Sequence, residues 1–286
     1  MKRVLAMYKI LIVKGRYINT FHERIPLRYQ IRSTLVLPLP STLAGAFARA
    51  VLEFFNIGSL RLRPSGRKIK LQSPSFLLQK MILASYIKVN EAKPLTIGNL
   101  LLEHIMASAG KGKKPTNVMG REYVFGDYTV TVVYVIDVPF RIQIPGSGRK
   151  IEIDETLVKR ALYRIRFIGS AESFFEVEDV KIIDTVDTLL ENGTDNGETG
   201  YCIHGTAIDI EKIEGEYQLY LISDIASAMY PRWQEPKKSS MPYKYIVPGR
   251  IERFFEPGTI KIKAAHGWSL INVEGDLIPV LSGELR

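Results

Sequence analysis

The stretch from Leu35 to Phe55, LVLPLPSTLAGAFARAVLEFF, constrains the fold of this chain more than any other. A short apolar run stops at Pro38 and Pro40, and a helix pattern begins at once. Leu43, Ala46, Phe47, Ala50, Val51, Phe54 and Phe55 recur at helical spacing and make one apolar face. Ser41 is the expected N-cap, because its hydroxyl can accept from a first-turn N–H. The stretch therefore predicts strand, proline-shaped turn, helix. Ala44, Gly45 and Ala48 make a second, small face. Glycine inside a helix costs about 1 kcal/mol relative to alanine, so a close neighbour is expected there. Two readings are open. A strand or helix packs against the small face, or the helix N-terminus holds a phosphate with its free N–H groups and dipole.

Charge supplies the next constraint. Residues 1–150 hold 24 Lys/Arg against 7 Asp/Glu, a balance of +17, whereas residues 151–286 hold 15 against 23, a balance of −8. An ordinary solvated surface mixes the signs. The imbalance points to a polyanion partner for the first half, and the acidic second half argues against indiscriminate coating of nucleic acid. The 286 residues suit one large or two modest domains. The longest apolar run, Val130 to Val138, contains Tyr134 and Asp137 and has strand composition, so no membrane association is expected and a cytoplasmic protein is. The single cysteine, Cys202, excludes an internal disulfide and a thiolate zinc cluster.

In chain order, Ala6 to Val13 predicts a first strand, and Lys14 to Glu23 a basic aromatic loop. Arg28 to Leu37 predicts a strand on which Arg28 and Arg32 point the same way. Ser75 to Val89 reads as helical or irregular, Asn99 to Ser108 as a short helix carrying His104, and 109–117 (AGKGKKPTN) as a basic loop. That loop lacks the GxxxxGK[ST] spacing of a nucleotide-hydrolysing P-loop. Arg121 to Val138 predicts a long strand broken at Gly126-Asp127, and Asp154 to Ile165 a second helix capped by Asp154. A glycine turn then feeds a strand from Phe174. The loop at Glu191 to Gly200 is the best boundary, and short strands follow it. The β-β-α-β-β-α-β order predicts an α+β fold for 1–190: a ferredoxin-like antiparallel sheet with helices on one face, a basic insertion at about 60–120, and a β-rich lobe at 191–286. The aromatic strand pattern of an ordinary RRM is absent.

Candidate chemistry is sparse. Cys202-x-His204 is a two-residue spacing too thin to argue a metal site, and no cofactor motif is present. His22, beside Lys14, Tyr17 and Arg24, supports one enzymatic alternative: a His or Tyr base driving metal-free RNA cleavage through the 2′-hydroxyl. Lys111, Lys113 and Lys114, followed by Arg121 and Tyr123, suit single-stranded RNA, with lysines on phosphates and a ring or guanidinium on a base. The turn Gly169-Ser170-Ala-Glu-Ser173 has small residues that permit close backbone approach.

Three segments in order resemble one family. Pro38-Leu-Pro-Ser-Thr-Leu-Ala-Gly-Ala-Phe-Ala-Arg-Ala-Val-Leu-Glu53 resembles the first-helix motif of the Cas-five family of CRISPR-associated proteins, within the RAMP superfamily. Met119-Gly-Arg-Glu-Tyr-Val-Phe125 resembles its R-[EQ]-Y strand entry, and Ile168-Gly-Ser-Ala-Glu-Ser173 its glycine turn after the second helix. Arg28-Tyr-Gln-Ile-Arg-Ser33 is similar to the strand before the first helix in archaeal type I-A members. The resemblance covers about residues 1–180. It implies an RRM-like RAMP fold with a thumb-like insertion and a non-catalytic subunit of a Cascade antiviral complex. That subunit holds the 5′ handle of the crRNA and bridges the Cas-seven backbone and the Cas-eight large subunit. Type I-C members instead cleave repeat RNA, which is the family form of the His22 alternative. The expected RNA contacts are Arg28, Arg32, Ser41, Thr42, Gly45, Lys111, Lys113, Lys114, Arg121, Tyr123, Gly169 and Ser170.

Overall fold

The computed structural model describes residues 8–21, 31–32, 34–57, 60–61, 71–72, 78, 81–91, 94–105, 116–143, 148, 150–169, 173–183, 194–222, 243–252 and 254–281. The first half runs β1 (Tyr8–Ile18), β2 (Thr20–Phe21), β3 (Ile31–Arg32), α1 (Pro40–Phe54), β4 (Leu60–Arg61), β5 (Leu71–Gln72), β6 (Ile82–Val89), β7 (Leu95–Ile105), β8 (Thr116–Phe125) and β9 (Tyr128–Asp137). Next come β10 (Phe140–Gln143), β11 (Lys150–Ile153), α2 (Glu155–Leu162), β12 (Phe174–Ile183), β13 (Asn196–Thr199), β14 (Ile203–His204) and β15 (Tyr217–Ile222). The last are β16 (Tyr243–Ile251), β17 (Phe254–Pro257), β18 (Ile260–Lys263), β19 (Trp268–Val273) and β20 (Asp276–Leu281). The fold is mostly antiparallel sheet with few helices.

The central sheet has the order β12-β1-β9-β6, every pair antiparallel. Its strands and helices follow one another as β1, α1, β6, β9, α2, β12, so β6 lies two places from β1 and α1 makes the crossover between them. One face carries the helices. Leu11, Val13, Val130, Val132, Tyr134 and Ile136 pack there with α1 and α2 in the main core. Alternate residues Ile10, Ile12, Ala84, Tyr86, Val133 and Val135 point the other way. That face is closed by the β19–β20 hairpin, which buries Ile271, Val273, Ile278 and Val280 against them. Four such side chains contribute about 6–12 kcal/mol of apolar burial, an upper figure. Lys88–Asp276, Lys14–Glu274 (2.8 Å) and Lys181–Glu274 (3.1 Å) ring the seal. Pairs of this partly exposed kind are worth about 1 kcal/mol or less each. Apolar burial is therefore the larger part of what holds the hairpin down.

A second sheet continues from the first. Asn19 and Gly126 have positive φ, at 69° and 121°. Gly126 N–H donates to Asn19 O (2.9 Å), and Asn19 N–H to Asp127 Oδ1 (2.7 Å). The β1–β9 ribbon bends at this corner into β2–β8. The predicted break at Gly126-Asp127 is present, but its two sides serve different sheets: β9 pairs β1 and β6, whereas β8 pairs β7, β2 and, in parallel, β3. Where a helix is expected over Asn99 to Ser108, the described part, to Ile105, is strand β7, and the helical or irregular reading of Ser75 to Val89 gives way to β6 from Ile82. A run such as Leu100-Leu-Leu-Glu103 fits either period, and the ladder from Thr96↔Phe125 to Ile105↔Thr116 decides it. The C-terminal part joins the same core: Cys202, Tyr245, Val247 and Phe255 lie in the main cluster, and β17 pairs β7.

Of the strand expected over Arg28 to Leu37, β3 holds Ile31 and Arg32, and Leu35 to Leu39 is buried chain outside any strand. Three carbonyls from Pro38 to Leu43 take side-chain donors. Tyr245 Oη donates to Pro38 O (2.7 Å), Ser85 Oγ to Pro40 O (2.9 Å) and Tyr134 Oη to Leu43 O (3.0 Å). The N-cap is Leu39, not Ser41, with Pro40 at the first helical position. Proline is favoured there because its ring presets φ and its missing N–H has no partner to lose. The Asp154 cap of α2 is present: Leu157 N–H donates to Asp154 Oδ1 (2.8 Å).

Candidate nucleic-acid interface

One family-like segment, the first helix, meets the stretch just before another, the glycine turn that begins at Ile168. Mid-helix residues of α1 (Ala46, Arg49, Ala50 and Glu53) and the turn after α2 (Arg164, Ile165, Arg166 and Phe167) line one recess of about 40 Å³. Glu53, Arg164 and Arg166 also line an open groove of about 610 Å³ with Asn56 and Ile57. Arg49 pairs with Glu53 one turn on (2.6 Å) and sits 6.0 Å from the Phe167 ring centroid. Arg164 lies over Phe54 at 4.8 Å. Arg166 makes no ion pair among the described residues. The groove is thus cationic, with aromatic rings between the charges. Helix α2 ends in a tight turn, Arg164 N–H to Ala161 O (2.9 Å) and Ile165 N–H to Leu162 O (3.1 Å), which turns Arg164 and Arg166 outward while Ile165 stays buried.

The expected contacts distribute unevenly around this surface. Gly45 is half-buried, next to the groove stripe, and a Cβ built on it meets nothing within 4 Å. The expected close neighbour is absent, and the small residues Ala44 and Ala48 belong to the core instead. Gly169 is exposed with φ 107°, just beyond Phe167. Ser41 and Thr42 are half-buried, and the N–H groups of Thr42 and Leu43 both donate to Leu39 O (3.0 and 3.1 Å). With Pro40 lacking an N–H, the start of α1 offers few donors to a phosphate. Tyr123 is 4% exposed, its ring 6.0 Å from Phe125, so it does not present a face to a base. Parallel pairing puts Arg32 beside Arg121 in backbone register, and the adjacent Glu122 Oε2 accepts Thr34 N–H (2.9 Å). His22, Arg28, Lys111, Lys113, Lys114 and Ser170 lie outside the described residues.

Of the enzymatic set, the two described members, Lys14 and Tyr17, lie on opposite faces of the sheet. Tyr17 is fully buried on the helix face, packed against Phe21, Tyr128 and Phe175 with ring centroids 5.0–5.2 Å away. Lys14 reaches to Glu274 at the opposite face. A bulge at Lys14/Gly15 and the sheet itself separate the two side chains. Of the Cys202-x-His204 pair, burial pushes the Cys202 thiol up to about 12 and the His204 imidazole down to about 4. His204 Nδ1 lies 2.7 Å from Thr206 Oγ1. Among the described residues no group of three or more His, Cys, Asp or Glu could hold a metal ion, and no helix is long and apolar enough to cross a membrane.

The sequence reading missed Arg49, Arg164 and Arg166. The available signal was Arg164-x-Arg166-Phe167, alternating charge followed by an aromatic just before a glycine turn.

No family model matches the chain, and no curated protein does. Solved structures similar to it include three CRISPR proteins. A CRISPR protein from Archaeoglobus fulgidus is 17% identical, with 96% of this chain and 100% of that chain covered at a TM-score of 0.49. A chain of a CRISPR RNA-guided surveillance complex is 13% identical, with 89% and 91% covered at 0.42. A chain of the type III-B Cmr-beta complex bound to cognate target RNA and AMPPnP is 12% identical, with 89% and 86% covered at 0.36.

Proposed function

We propose that this chain is a non-catalytic RNA-binding subunit of a type I CRISPR Cascade complex that holds the 5′ handle of the crRNA. In this reading residues 8–183 are a ferredoxin-like RAMP unit, with the β7–β8 hairpin as its thumb-like arm. The other subunits of the complex, the Cas-seven backbone and Cas-eight large subunit, are its protein partners. The observation that carries it is the arginine-lined groove between the first-helix segment and residues Arg164–Phe167, which follow the second helix. The +17 balance of residues 1–150 supports a polyanion. The sealed β19–β20 face supports a binding surface on the helix side instead of the open sheet face that an ordinary RRM presents. The separation of Lys14 and Tyr17 favours holding RNA over cleaving it.

The test uses the purified chain, labelled repeat RNA carrying the handle, and a scrambled control, all in EDTA. Tighter, salt-dependent binding of the handle without cleavage is expected. Single-strand binding falls with salt by a slope of about 0.7 per phosphate contact. Binding that ignores handle sequence, or cleavage in EDTA, overturns the reading.

A further inference from the structure

We infer that the Phe167–Phe174 pair is a stacking platform for one unstacked nucleobase, at the mouth of the arginine groove. Phe174 is 53% exposed, on a strand whose next two outward positions, Glu176 and Glu178, are charged. It is one of five large hydrophobic side chains that stay exposed among the described residues, and it is set apart from the others by an aromatic partner beside arginines. Its ring centroid lies 4.9 Å from that of half-buried Phe167, with the planes at 47°. The two residues are fixed by a β-bridge and by Phe175 N–H to Arg166 O (2.8 Å). The platform is therefore held by backbone before any ligand arrives.

Charge decides between occupants. Phe167 shares its recess with Arg164 and Arg166. Arg16 lies on Glu176 at 2.8 Å and reaches toward Glu178 at 3.8 Å, which offsets the nearby carboxylates. A ring beside guanidinium groups that make no ion pair among the described residues suits the base and phosphate of one nucleotide in a single strand, because every base has a stacking face and every linkage a negative charge. This inference rests on the RNA reading above and adds the site at which a base is taken out of the strand.

The experiment titrates a short fluorescent single-stranded RNA, and the same RNA with 2-aminopurine, against the full-length chain. Phe174→Ala should weaken binding about 5- to 150-fold and abolish the 2-aminopurine quench. Phe174→Trp should keep both, and Phe174→Leu should behave like the alanine variant. Leucine retains the apolar bulk, so it carries the test if the alanine protein folds poorly. Arg164→Ala and Arg166→Ala should each flatten the salt slope by about 0.7. If the arginine variants weaken binding and Phe174→Ala does not, the platform is overturned and the RNA reading stands. The platform is overturned in the same way if Phe174→Ala spares RNA but releases a partner subunit. If the wild-type chain binds no RNA, both fall.

Discussion

The two faces of the central sheet are covered in opposite ways. The helix face is covered by α1 and α2, whose outer sides open into an arginine groove with half-buried rings. The other face is closed by a hairpin of four buried aliphatic side chains and a ring of Lys–carboxylate pairs. One face therefore keeps Arg164 and Arg166 at its surface without an ion pair among the described residues, and the other has paired its lysines internally. The difference teaches that net charge alone does not locate a binding surface. Lys14 and Lys88 count toward the +17 of residues 1–150, yet each is held by Glu274 or Asp276, as is Lys181 from the acidic half.

The largest expected effect comes from unsealing the hairpin. Ile278→Asp puts an unpaired carboxylate at a fully buried position and should cost about 3–5 kcal/mol in urea unfolding, with no gain in RNA affinity. A folded variant that bound single-stranded RNA more tightly would show that the sealed face is a latent RNA surface, and the comparison would break.

Acid should act in two separate windows. His204 is held down to about 4 by burial, against 6.5 when exposed. The unfolded chain binds the extra proton between these values, so stability is complete above pH 6.5 and falls as pH drops toward 4, by roughly 3 kcal/mol in all. His204→Gln should flatten that window. Glu274 is held below its ordinary value by its hydrogen bonds to Lys14 and Lys181. Its contribution is present above pH 4.5 and is lost as pH falls through the lowered folded value. Glu274→Gln should remove only this lower, hairpin-side part, as read by unfolding curves at stepped pH.

Tyr245→Phe tests how the helix side is anchored. It leaves the buried Pro38 carbonyl without its donor and should cost about 1–3 kcal/mol in the same assay. The smallest effect is at Gly45. Because a Cβ there meets open space, Gly45→Ala should stabilise the chain by about 0.5–1 kcal/mol. Gly45→Leu should fold, which reverses the expectation from the small helix face. If alanine raises stability and lowers RNA affinity, Gly45 lies against the ligand and the helix side is the binding side.

Much of the fold was legible. The Leu43–Val51 periodicity, the Asp154 cap and the Gly126-Asp127 break are local signals, and each lies where expected. Others were not, because their cause is not local. Leu100-Leu-Leu satisfies helix and strand alike until β8 arrives beside it. Ser41 makes a good cap in isolation, but the chain entering through Pro38 and Leu39 puts Pro40 at the first position. Tyr17 reads as a ring in a basic loop and is a core aromatic, because the loop is the end of β1.

By itself the sequence determined the charge imbalance, the helix at Leu43–Phe54 and the turn at Gly169, since these depend on residue type and short-range geometry. Only the tertiary structure decided which charges face outward. Burial of alternate strand residues gave one sheet face to the hairpin, and helix packing brought Arg49, Arg164 and Arg166 together from distant parts of the chain. Long-range pairing sets those neighbours, and no window of sequence contains it.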